Sequence, residues 1–289
     1  MNINKKYLFF FSSKNQITKF LQNKNIVIGC SFLTILMLTI LIIPYLPYDY
    51  KPFNSQNQKP LQQISWNHLM GTDSTGYDLF SLILAGAKIT LQISFFAVII
   101  SAFIGGFLGI ISGYFCGIFD IIINFICDIL VVFPDIILAI LIMCFFKKGI
   151  IALIIVLSIS HMPTFIHSMR TNTMQIKTKS FIQASKALGA THTHIIYKHI
   201  LSHILAPFIT RIIISMSSII LAISALGMIG LGLDPNVPEW GRILFESKSH
   251  FRFHPHLFFG PFVVILLTSL SFNLIGQGLI QLFNPKDKH

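Results

Sequence analysis

The sequence predicts an all-α integral membrane protein with six membrane-spanning helices and both termini in the cytoplasm. Three observations lead there. Of the 289 residues, 54% are hydrophobic and 11% charged, and the mean hydropathy is +0.74. A soluble domain carries roughly a quarter charged residues, so this chain lacks the polar surface to cover a globule, and it is far too apolar for disorder. The apolar residues gather in six runs of 18 residues or more, the length a helix needs to cross a bilayer core of about 30 Å. A barrel would instead show alternating segments of about ten residues. The third observation is a net charge of +11 that is unevenly placed along the chain.

The elements follow in order. Residues 1–25 hold Lys5, Lys6, Lys14, Lys19 and Lys24 and no acid, the pattern of a cytoplasmic N-terminal segment. Residues 26–43 form the first span. A basic stretch before an apolar run can be a secretory signal, but Pro44-Tyr45-Leu46-Pro47 stands where a small-residue cleavage site would, so the span is read as retained. Residues 44–88, mixed and turn-rich, form an external loop. Residues 89–283 form a five-helix core with spans at 89–111, 118–146, 149–166, 204–229 and 257–275. They are separated by Gly113 and Gly117, by Lys147-Lys148-Gly149, by the polar stretch 167–203 and by Asp234-Pro235. Residues 284–289 form a cytoplasmic tail. With the N-terminus inside, the cytoplasmic segments hold twelve basic residues and one acid, the external ones eight and six. That bias satisfies the positive-inside rule and explains the excess charge without nucleic acid. Lys147-Lys148, in a very short external turn, is the local exception.

The cytoplasmic loop 167–203 is the most informative segment. Its periodicity predicts a helix over 176–188, with Phe181, Ala184, Ser185 and Leu188 on one face. Gly189 suits the left-handed residue that ends a helix, and Thr191 or Thr193 suits the cap of a second helix. A basic helix–turn–helix could be read as DNA-binding, but its tether between two spans argues against that. An amphipathic hairpin with no core of its own implies a partner groove.

Here the chain resembles a known family. Gln183-Ala184-Ser185-x3-Gly189 is similar to the E-A-A-x3-G motif of importer-type ABC transporter permeases, and the surrounding residues through Ala187, Leu188 and Ala190 resemble the form in the C subunit of dipeptide, oligopeptide and nickel permeases. Three further blocks agree. Leu69 to Asp78, with Gly71-Thr72-Asp73-x2-Gly76-x-Asp78, resembles the L-G-T-D-x2-G-R-D segment. Ala225 to Gly232, followed by Pro238-Glu239-Trp240-Gly241, resembles the S-F-L-G-L-G…P-x-W-G stretch. Phe272-Asn273-Leu274-Ile275-Gly276-x-Gly278 with Asn284-Pro285 resembles the C-terminal F-N-L-L-G-D-G…D-P. The departures are Gln183 for Glu, Ser185 for Ala, Ser202 for the downstream Pro, Tyr77 for Arg, and Gln277 and Asn284 for acids.

The resemblance implies an importer-type permease fold in a bacterial cytoplasmic membrane, working with a second homologous permease subunit, two ABC ATPase subunits and an external solute-binding protein. It implies peptide cargo, with nickel, or antimicrobial peptides as in Sap-type systems, as alternatives. The hairpin would seat in the ATPase and convert nucleotide-driven closure into movement of the spans. The chain has no G-x4-G-K-[ST] phosphate loop, so ATP hydrolysis belongs to other chains, and neither a cofactor nor catalysis is expected here.

Charges within spans are costly and face protein or water. Asp128 and Asp135, seven residues apart in the third span, and Arg211 in the fifth, either pair to fix helix packing or line the translocation path; a proton-coupled secondary transporter would also use such acids. Asp73 and Asp78 read as turn and cap residues. His250, His254 and His256, and separately His199 and His203, are weak metal candidates against a default of interfacial histidines. Gly105-Gly106-x2-Gly109 and Gly227-x2-Gly230-x-Gly232 offer small faces for close helix packing. Pro134 and Pro163 fall inside spans, where proline kinks a helix. The four cysteines, Cys30, Cys116, Cys127 and Cys144, lie in apolar stretches without a C-x-x-C pair and behave as small hydrophobes.

Overall fold

A computed structural model describes residues 20–42, 59–66, 68–133, 135–143, 145, 149–234 and 237–283, excepting the side chains of Asp135, Ile136, Ala139 and Met143. Outside them lie Lys5, Lys6, Lys14 and Lys19, residues 44–47, the first part of the external loop, Pro134, Cys144, Lys147-Lys148, Pro235 and the tail with Asn284-Pro285.

The helices are α1 (Lys24–Ile42), α2 (Leu79–Phe115), α3 (Gly117–Val132), α4 (Asp135–Met143), α5 (Ile150–Lys177), α6 (Ser180–Ala187), α7 (His192–Met228), α8 (Trp240–Ser247) and α9 (Pro255–Phe283). Among the described residues, α1, α2, α5, α7 and α9 are long and apolar enough to cross a membrane. The stretch expected as the third span is divided between α3 and α4. Helix α3 ends at Val132 because Phe133 is extended, with φ −85° and ψ 129°; a following proline clashes with helical backbone and selects that conformation. Several helices outrun the apolar runs that announced them. At 37 residues α2 is roughly 55 Å long, and it begins at Leu79 rather than 89 because the Asp78 carboxylate accepts from Ser81 N at 2.9 Å and caps it. Helix α5 continues past 166 to Lys177.

The central pairing is α2 against α5. A methyl placed on Gly105, Gly109 or Gly113 would lie 2.8, 2.5 or 2.6 Å from the carbonyl oxygens of Met162, Ile166 and Arg170. Spacing of four on both helices puts one stripe of α2 directly on the backbone of α5, the close approach that small residues allow in a bilayer. Gly106, beside the stripe, meets the Phe208 ring of α7 in the same way. Around this pair Ile93, Val98, Leu153, Leu157, Phe165, Ile219 and Ile223 form a buried core. Helix α9 packs on α7 and α1, with Ile26 against Ile275 and Leu279. Helix α3 lies outside this body: of its 16 residues Cys127 alone is buried.

Candidate functional site

The hairpin is built from the end of α5, all of α6 and the start of α7. The helix expected over 176–188 is in fact broken. Helix α5 stops at Lys177, and Lys179 is extended (φ −67°, ψ 143°), so α6 is a separate eight-residue helix. The break redistributes the expected face. Ile182 is buried against Tyr114, Met169, Ile195 and Ile200, and Phe181 stacks on His203 with ring centroids 5.0 Å apart. Leu188, expected on that inner face, lies beyond the end of α6 and is 88% exposed. Gln183, Ala184, Ala187 and Gly189 are exposed with it, while Ser185 and Ala190 are half-buried. Gly189 has φ +82°, with open space where a Cβ would stand, and Thr191 Oγ1 accepts from His194 N to cap the next helix. Residues 195–200 at the base of α7 form a π-helical turn, a distortion frequent at functional sites.

Two polar clusters fasten the hairpin to the membrane helices. Lys177 Nζ donates to Tyr114 O and lies over the Tyr114 ring, and Tyr114 Oη is hydrogen-bonded to His192 Nδ1 at 2.8 Å. The end of α2 is thereby tied to both arms. Two turns before the end of α5, Arg170 forms a two-point ion pair with Asp120 of α3, Nε to Oδ1 at 2.6 Å and the terminal nitrogen to Oδ2 at 2.7 Å. No motif marks these residues in the sequence. The available signal was position: Asp120 opens one span and Arg170 follows another at the same membrane face.

The external motif residues build a clamp. Gly71 and Gly76 adopt φ of +78° and +93°, and Asp73 Oδ1 accepts from Thr75 N and Tyr77 N, both at 2.8 Å. Thr72 Oγ1 donates to Lys59 O at 3.0 Å and accepts from Gln62 N at 2.8 Å. Asp78 caps α2 and also holds His68 Nδ1 at 3.0 Å. Beyond the partly buried Pro238, Glu239 is fully buried and accepts from Gly241 N and Arg242 N at 2.7 and 3.1 Å, capping α8. Burial raises its carboxyl from the ordinary 4.5 to about 7 against those two hydrogen bonds. The Trp240 indole donates to Ile83 O at 2.9 Å, and Gly241 sits so close to α7 that a methyl there would be 2.5 Å from Ser224 O. The clamp thus joins the start of α2 to the end of α7.

Asp128 and Arg211 are not paired with each other, and the side chain of Asp135 lies outside the described residues. Among the described residues the ion pairs are His68–Asp78, Asp120–Arg170 and Arg242–Glu246. Asp128 is exposed on α3, and Arg211 is half-buried with its Nε unpartnered among the described residues. The His254 and His256 rings lie 5.8 Å apart, but no three metal-ligating side chains gather among the described residues.

Comparison with known proteins now adds identity to this geometry. Residues 105–288 match the family described as binding-protein-dependent transport system inner membrane component. The glutathione transport system permease protein GsiD of Salmonella typhimurium is 36% identical over 270 residues, covering 92% of this chain and 88% of the relative. Its counterpart in Escherichia coli (strain UTI89) is 34% identical over 247 residues, covering 86% and 80%. The fold is similar to that of the MetNI methionine ABC transporter in inward-facing conformations, with a TM-score of 0.60 and 19% identity over 70% of this chain and 96% of that one.

Proposed function

The chain belongs to the binding-protein-dependent transport system inner membrane components, and from that premise we propose what it carries and how it is driven. As a multi-pass permease subunit of an ABC importer in the bacterial inner membrane, it works with ATPase chains and a solute-binding protein. It is not itself an enzyme. The finer reading is six spans with cytoplasmic termini, α3 and α4 together serving as the third, and an assembly of this chain, a second homologous permease, two ATPase subunits and one external binding protein. The cargo is short peptides; relatives named for glutathione, itself a tripeptide, support that class. Asp128 and Arg211, neither paired with the other, are read with Asp135 as residues facing the water-filled path or the second permease.

The observation that carries the mechanism is α6 and the turn after it. Gln183, Ala184, Ala187, Leu188 and Gly189 are exposed, on and just beyond a helix whose inner face is seated by Ile182. An exposed apolar end on a basic, acid-free hairpin fits a groove in a partner, and the ATPase is the partner that must be reached. Closure of the ATPase would move the hairpin, and the spans attached to it would follow as a two-state gate.

The test uses the assembled transporter in vesicles with labelled glutathione as probe. Uptake requires ATP, and Gly189→Arg abolishes it while the protein remains inserted at wild-type level. Unchanged uptake by Gly189→Arg removes the coupling assignment, and uptake driven by a proton gradient without ATP removes the ABC mechanism.

A further inference from the structure

The geometry points to Asp120 and Arg170 as the joint through which movement of the cytoplasmic hairpin reaches α3, making Asp120 a positioning residue for transport. This inference rests on the reading of the hairpin as the ATPase contact.

Helix α3 has little else to hold it. Cys127 is its one buried residue, and the flanks of Ile118, Ile121, Phe125, Val131 and Val132 are exposed. Apolar contact of that kind resists separation but does not specify orientation. Asp120 supplies the orientation. Its Oδ1 accepts from Arg170 Nε, from the buried Ser112 hydroxyl of α2 and from Asn124 Nδ2, and its Oδ2 from the second guanidinium nitrogen. Three helices therefore meet at one carboxylate. A two-point guanidinium–carboxylate contact fixes angle as well as distance, which a lysine or a single hydrogen bond would not.

The other side of the joint is stiff. Arg170 lies on α5, a helix continuous to Lys177, three residues before α6 begins. At that level the α2 and α5 backbones touch through Gly113 and the Arg170 carbonyl. Lys177 is held against Tyr114. A displacement applied to the hairpin thus passes down α5 as a rigid movement and reaches α3 at Asp120. From there α3 carries it outward toward Val132 and the start of α4, which packs on α5 and α7.

The test is a distance measurement on the full transporter, with the four native cysteines replaced and spin labels at Lys186→Cys and Val132→Cys, both exposed. With the Asp120–Arg170 pair intact, the label-to-label distribution is narrow and shifts by less than about 2 Å between nucleotide-free and ATP-bound states. Asp120→Ala broadens it by at least about twofold. The charge swap Asp120→Arg with Arg170→Asp restores the narrow distribution, which ties the effect to the pair rather than to either residue alone. If Asp120→Ala fails to assemble, Asp120→Asn, which keeps the shape and removes the charge, is read in its place. A single variant as narrow as wild type, or a charge swap as broad as the single variant, overturns the proposal. The readout needs no cargo, so its failure is separate from that of the coupling assignment, which Gly189→Arg decides.

Discussion

The Gln183 side chain donates from Nε2 to Lys177 O at 3.1 Å, closing the turn between α5 and α6 with a bond that a carboxylate could not make. Glutamate there would lose the donor and place an anion at the negative end of α5. Because the site is exposed, the cost is at most about 1 kcal/mol. Gln183→Glu should therefore speed hydrogen exchange of residues 178–190 by up to about fivefold, measured by mass spectrometry, and leave the rest of the chain unchanged. Glu239 gives a pH dependence at the opposite face. Its folded value of about 7 lies above its ordinary 4.5, so between those limits the folded protein holds a proton that the unfolded chain has released. Stability is then full below about pH 4.5, falls as pH rises and levels off above about 7. The midpoint of thermal inactivation should drop between about pH 4.5 and pH 7, and Glu239→Gln should reduce that drop. Some slope will remain, because burial also raises Glu246 in the same helix.

Among the elements, the α2–α5 pair sets the tolerances. A side chain at Gly109 would meet Ile166 O at 2.5 Å, backbone that cannot step aside. Gly109→Leu should cost about 1–3 kcal/mol or more through overpacking, seen as a lower inactivation temperature and less assembled transporter. Gly149→Ala, with open space around it, should leave both unchanged. The Gly105-Gly106-x2-Gly109 cluster made part of this contact legible in advance, whereas Gly113, read as a break between spans, continues the same stripe inside α2. The ends of elements were less legible. Hydropathy stops where polar residues begin, yet α5 runs on to Lys177 because helical hydrogen bonds continue into water. The division at Lys179 left Leu188 outside, where a thirteen-residue helix would have buried it. Asp120 and Arg170 carried no motif at all; their partnership depends on two helices packing at a common depth, which one-dimensional spacing does not encode.

For the whole molecule, charge distribution is the property most open to direct measurement. With cytoplasmic termini and six spans, Leu188→Cys should react with a membrane-impermeant maleimide only from the cytoplasmic side. Phe253→Cys, 80% exposed in the loop before α9, should react only from outside. Labelling of both from one side would contradict the topology. The charge bias was readable because insertion acts on loops as linear segments, whereas cargo and partners depend on surfaces shared with other chains. The joint at Asp120 also bears on how the molecule is made. Arg170 leaves the ribosome fifty residues after Asp120, some 3–10 seconds later at ordinary rates of synthesis. Through that interval α3 has neither its counter-ion nor the α5 surface. Until then Asp120 has only the Ser112 hydroxyl of α2 and Asn124 of its own helix, and the final tilt of α3 is set only when a later helix arrives to claim the carboxylate.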